Sequence, residues 1–203
     1  DWSSDVCSSD LLIFSKDRGN SGPNDNIAPP VPLFSQVPEA TNQDKITLNG
    51  ITEPAATVKL FVNGPEREET IADANGSFTF VDISLSSANN TIFARAIDEN
   101  GNESEASKVY IVVYDNEAPE VEILVPTNGA TIKNLDRRVL VQGEVSEKAD
   151  VKVNGRQAVI KPDNTFEILL GVDEGNVEIK VEATDKAGNS TTQSVFITYE
   201  KTS

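Results

Sequence analysis

The residues in this chain whose types and spacing could do chemistry are oxygen donors. Two acidic runs stand out, Asp98-Glu99-Asn100-Gly101-Asn102-Glu103 and Asp115-Asn116-Glu117-Ala118-Pro119. Interleaved Asp, Glu and Asn side chains present the oxygen ligands that hard divalent cations take. The first run begins like an Asp-x-Asn calcium loop but has neither that loop's length nor its closing bidentate Glu. The second offers Asp115, Asn116 and Glu117 as candidate calcium ligands at a joint, completed by Asp185 or Glu174 from later loops. Turn chemistry is the competing explanation for both runs, because Asn, Asp and Gly adopt left-handed backbone and close tight turns.

Other chemistries fail on composition. The chain has no His and a single Cys, Cys7, so Ser-His-Asp and Cys-His constellations cannot form. No Gly-rich phosphate cradle followed by Lys and Ser/Thr occurs. Paired carboxylates for glycoside hydrolysis need a cleft lined with aromatics, and aromatic residues make up only 6% of the sequence. The reading is a protein that is not an enzyme, with no cofactor beyond candidate calcium. A net charge of −16 repels nucleic acid and anionic lipid surfaces. No stretch approaches the run of about 20 apolar residues of a membrane helix.

The elements that must position these groups are short strands. Ile46 and Leu48, then Val58, Leu60 and Val62, then Phe78 and Phe80, then Ile92, Ala94 and Ala96 alternate with polar residues, the pattern of half-buried strands. Asn-Gly pairs at 49–50, 63–64, 75–76, 100–101, 128–129 and 154–155 are read as hairpin turns. The grammar then repeats. Val139 and Val141 answer Ile46 and Leu48, Val151 and Val153 answer Leu60 and Val62, and Phe166 and Ile168 answer Phe78 and Phe80. Asp185 answers Asp98 and Tyr199 answers Tyr114. The offset falls from 93 residues at Ile46 to 85 at Tyr114, as loops gain and lose residues while strands do not. About seven strands in each unit without helices predict two tandem β-sandwiches, over 31–115 and 116–203. The Asp98 turn and the end of the last strand then fall at opposite poles, about 20 Å apart, so Asp98 and Asp115 do not share an ion. Phe61 and Phe93 fall on the sheet face opposite the core, where the second unit has Lys152 and Lys180. They are candidate ligand contacts, and a packing layer under a loop is the alternative.

The N-terminus stands apart. Residues 1–11, DWSSDVCSSDL, resemble the in-frame translation of a short-read sequencing adapter, and with them go Trp2 and Cys7. Without Asp1, Asp5 and Asp10 the net charge is −13. Residues 12–30 are read as a disordered leader, rich in Gly, Pro, Asn and Ser from Ser15 onward. Leu12-Ile13-Phe14 is either the tail of a lost membrane anchor or signal, or a stray apolar patch. The closing Tyr199-Glu200-Lys201-Thr202-Ser203 reads as a natural end, which weighs against an accessory domain of a larger enzyme.

The motifs ITLNGITEPAATVKLFVNG (46–64), DANGSFTF (73–80), IFARAIDENGNES (92–104), VLVQGEVSEKADVKVNG (139–155) and VEIKVEATDKAGNS (177–190) resemble tandem bacterial immunoglobulin-like domains of the glucodextranase domain B-like group. The resemblance spans about 31–200 and implies an all-β fold of two immunoglobulin-like antiparallel β-sandwiches. It also implies an extracellular or cell-surface spacer or adhesive role, with no catalytic residues to carry over. The joint Asp115 to Pro119 is similar to the Asp-Asn-x-Pro junction of cadherin-type modules, which implies stiffening by calcium. The expected partners are a surface polysaccharide or a protein, with no nucleic acid and any membrane tether lying upstream. The chain itself is expected to be a monomer. The alternative function is a carbohydrate-binding accessory module of a larger secreted or surface protein.

Overall fold

The computed structural model describes residues 26–202. The adapter-like tract and the leader as far as residue 25 lie outside the described residues. Among the described residues every regular element is a strand. The first module contains β1 (Leu33–Phe34), β2 (Ala40–Thr41), β3 (Lys45–Ile51), β4 (Thr57–Val62), β5 (Glu66–Ile71), β6 (Ser77–Ser84), β7 (Ala88–Ile97) and β8 (Tyr110–Tyr114). The second contains β9 (Val121–Val125), β10 (Thr131–Asn134), β11 (Arg138–Val145), β12 (Asp150–Val153), β13 (Arg156–Gln157), β14 (Val159–Ile160), β15 (Thr165–Gly171), β16 (Gly175–Thr184) and β17 (Ser190–Lys201).

Each module is a two-sheet sandwich. The first pairs β1-β3-β6 with β2-β8-β7-β4-β5, and the second pairs β14-β15-β11-β9 with β10-β17-β16-β12-β13. The ladders are antiparallel except at β2 and β10, short edge strands that run parallel to β8 and β17. The alternation in the sequence is the cause of this arrangement. Val58, Leu60 and Val62 on β4 meet Ile92 and Ala94 on β7 and Phe78 and Phe80 on β6 in one dry cluster. Val139, Val141, Val151, Val153, Phe166, Ile179 and Val181 form its counterpart. Burying a side chain such as Phe166, 1% exposed, contributes about 1.5–3 kcal/mol.

One turn assignment is corrected. Asn49-Gly50 is not a hairpin; it lies inside β3, with Gly50 directly across from Phe78. A Cβ on Gly50 would stand 2.8 Å from Phe78 Cε1 and 2.7 Å from the Leu33 carbonyl oxygen. Gly143 repeats the arrangement opposite Phe166 in the second module. Glycine is required here because an aromatic ring lies over the strand, and no turn is involved. The Asn-Gly pairs at 63–64 and 154–155 are genuine turns in which both residues have positive φ, as a type I′ hairpin demands.

Two buried polar groups tie the modules' loops. Asn90, fully buried, accepts bonds from Ser86 N and Asn63 Nδ2 on Oδ1 and donates from Nδ2 to the Ser86 and Val112 carbonyls. Tyr199, also fully buried, has its hydroxyl 2.7 Å from the Asn134 carbonyl oxygen and accepts from Arg137 N. Among the described residues no buried side-chain polar atom lacks a partner.

In each module the chain enters and leaves at opposite poles. Pro30 lies against Thr52 beside the Gly76 turn, whereas β8 ends opposite Ala88, at the far end of β7 from the Asp98 turn. The second module begins where Glu120 pairs with Ser146, and it ends where β17 meets Asn134 and Gly175.

Candidate functional site

The chemistry-bearing residues converge at the joint between the modules. The turn Asp185–Asn189 is built by its own aspartate. Asp185 Oδ1 accepts from Gly188 N at 2.7 Å and Asn189 N at 2.8 Å, while Oδ2 accepts from Asn189 Nδ2 at 2.8 Å. The same Asn189 amide reaches the joint, donating to the Asp115 carbonyl at 2.9 Å. Asp115 Oδ1 accepts from Glu117 N at 3.0 Å, so the joint is itself an Asx turn. Asp115 N donates to the Thr41 carbonyl, and Asn42 N donates across the joint to the Ala187 carbonyl at 3.0 Å. Lys186 forms an ion pair with Glu39, which holds the Glu39 carboxyl below its ordinary value.

A groove of about 580 Å³ runs beside these bonds, lined by Glu39, Asp115, Glu147, Lys148, Asp185 and Lys186 among others. Glu147 is pushed above the ordinary carboxyl range, first by burial and then by the charges of Asp115, Asp185 and Glu117. The expected partnership of Asp115 with Asp185 is therefore a spatial one. The oxygens of both, however, serve backbone and amide donors, and among the described residues no group of three acidic side chains is arranged to hold an ion. Asn116 is exposed in the linker. Glu174 sits at the far pole, where its carboxylate accepts from Lys201 N at 3.4 Å. It precedes β16, whose opposite end carries Asp185, so a full strand separates the two.

The Asp98 run is a turn of the same build. Asp98 Oδ1 accepts from Asn100 N and Asn102 N, and Oδ2 accepts from Asn102 Nδ2 at 2.7 Å. The Asn102 side-chain bond comes first in holding the Asp98 carboxyl below its ordinary range.

Phe61 and Phe93 are cross-strand neighbours on the outer face of β4 and β7. Their rings stack on each other, with centroids 4.7 Å apart and planes 2° apart. Both are half-buried. Each ring gives one face to the other, so that face is not open to a ligand. Lys59–Glu66 and Arg95–Glu103 ion pairs flank them at 3.0 and 3.1 Å.

Sequence reasoning missed Glu39, Asn42, Glu147, Lys186 and Asn189. Only Asn189 carried a local signal, as the counterpart of Asn102 in a repeated turn. The others are brought together by the packing of one module on the next.

Sandwiches of this topology in tandem, with turn-built acidic loops at the joint, define a class of modular immunoglobulin-like proteins. Residues 28–112 match the family model of the bacterial Ig domain, and residues 119–201 match glucodextranase domain B. The chain is a tandem of bacterial immunoglobulin-like domains. Bacillopeptidase F of Bacillus subtilis (strain 168) is 36% identical over 159 residues, which take in 77% of this chain. The chain spans only 11% of that protein's length. Among solved structures, the fibronectin(III)-like modules of CbhA from Clostridium thermocellum superpose with a TM-score of 0.57 at 18% identity. That alignment covers 84% of this chain and 95% of theirs. At this identity the likeness shows the fold alone.

Proposed function

We propose that the chain is a non-catalytic spacer segment of a longer exported protein, holding a further part of that protein at a distance from its attachment point. One observation carries this reading: each module takes the chain in at one pole and releases it at the other. The two strand lengths therefore add, at about 35 Å per module. The relative named as a peptidase, of which the chain spans a small fraction, supports a place inside a larger protein. Immunoglobulin-like and fibronectin-like modules commonly occupy such accessory positions. The acidic surface keeps such a segment soluble and away from anionic surfaces.

The test combines shape with retention. Small-angle scattering of the purified chain is expected to give a maximum dimension near 70–80 Å over the described modules. No retention on insoluble polysaccharides and no hydrolysis of peptide or glycan substrates are expected. Retention that disappears in Phe61→Ala or Phe93→Ala would replace the spacer reading with a glycan-binding one.

A further inference from the structure

Two modules joined over a small surface ordinarily move independently. Three features of this joint oppose that motion. The tether is short: residues 116–119 alone separate the bond from Asp115 N to Thr41 from the bond that Glu120 N donates to Ser146 Oγ. Pro119, at its end, is buried. A tether of this length holds facing groups at an effective concentration on the order of millimolar, so weak contacts become populated ones.

The second feature is that the docking element is rigid before it docks. Three bonds to the Asp185 carboxylate close the Asp185–Asn189 turn from within. The third is that the turn meets its neighbours at three separate points. The Ala187 carbonyl accepts from Asn42 N, Asn189 Nδ2 donates to the Asp115 carbonyl, and Lys186 pairs with Glu39. Contacts at three separate points restrain both the bend and the twist of a joint.

We propose that the Asp185–Asn189 turn is a docking key that locks the angle between the two modules through direct protein–protein bonds, with the Lys186–Glu39 pair selecting the docked orientation. This deepens the spacer reading and rests on it. The first module's turn offers a comparison. Asp98–Asn102 has the same internal closure, but Glu99 stands where Lys186 stands. In the second module's place that turn would set an acid against Glu39 and lose the pair.

The test is nuclear magnetic resonance on the whole chain at neutral pH. The two modules are expected to share one rotational correlation time, unchanged by calcium or by a chelator. Lys186→Glu is expected to raise the undocked population about two- to fivefold, moving the averaged amide shifts of Asn42 and Asn189. The charge-swapped pair Glu39→Lys with Lys186→Glu is expected to restore them. Independent tumbling of the unmodified modules would overturn the proposal. So would shifts that ignore Lys186→Glu, or loosening of the unmodified chain by chelator, which would assign the angle to a bound cation. None of these readouts reports ligand retention or hydrolysis, so the spacer reading stands or falls separately.

Discussion

A methyl group added at Gly143 tests the close approach between strand and ring in the second module. In Gly143→Ala the new Cβ would stand 2.6 Å from Phe166 Cε1 and closer still to Phe166 Cζ and the Glu122 carbonyl oxygen. Ordinary contact begins near 3.5 Å, so atoms must separate by close to 1 Å. A ring at the end of a rotatable side chain yields more easily than a backbone oxygen, and Glu122 is held in the ladder between β9 and β11. Overpacking of this kind costs about 1–3 kcal/mol, and the backbone clash places Gly143→Ala toward the upper end. At about 3 kcal/mol the melting midpoint of a module this size falls by roughly 12–24 °C. The assay is differential scanning calorimetry of the whole chain, with the first module's transition as internal reference. Adding Phe166→Leu to Gly143→Ala is expected to recover part of the loss despite its own cavity, because it removes the ring atoms in conflict. Gly171→Ala is the control: its Cβ meets nothing nearer than 3.9 Å, and the midpoint is expected to hold or rise slightly. A Gly143→Ala variant that melts with the unmodified chain would refute the reasoning.

Asn90→Ala removes a buried amide that serves two donors and several carbonyls; a loss of about 2–4 kcal/mol in the first module, read from urea unfolding, is expected. Tyr199→Phe leaves Arg137 N without its acceptor and is expected to cost the second module about 1–2 kcal/mol by the same measurement. In a double-mutant cycle on Phe61→Ala and Phe93→Ala, the stacked rings are expected to show a coupling of about 0.5–1.5 kcal/mol; additive effects would remove the stack as a stabilising feature. The Asp98 carboxyl is held below its ordinary range by its own turn. Its contribution is therefore present above the unfolded-state value and is lost as pH falls through the lower folded value. Acid titration of the midpoint is expected to be flatter in Asp98→Asn, and superimposable curves would count against the assignment.

Much of the architecture was legible because period-two alternation has one physical outcome in a chain without helical spacing. Val58, Leu60 and Val62 must face one way, and Val151 and Val153 repeat the instruction. The Asn49-Gly50 dipeptide misled because local sequence does not distinguish a glycine that turns the chain from one that makes room for a ring. That distinction depends on Phe78, a residue 28 positions away, arriving opposite it. Glu174 is a loop acid of the second module like Asp185, but β16 runs between them and places Glu174 at the far pole.

The sequence by itself determined the repeat, the strand faces, the turn-building role of Asp98 and Asp185, and the lack of histidine. These follow from residue type and near-neighbour spacing, which act before any long-range contact forms. Only the tertiary structure decided which groups meet at the joint. Glu39, Asn42, Asp115, Lys186 and Asn189 are spread over 150 residues, and nothing local links them. Their meeting depends on how one sandwich seats on the next, a matter of loop shape, two cross-joint hydrogen bonds and a pair of opposite charges.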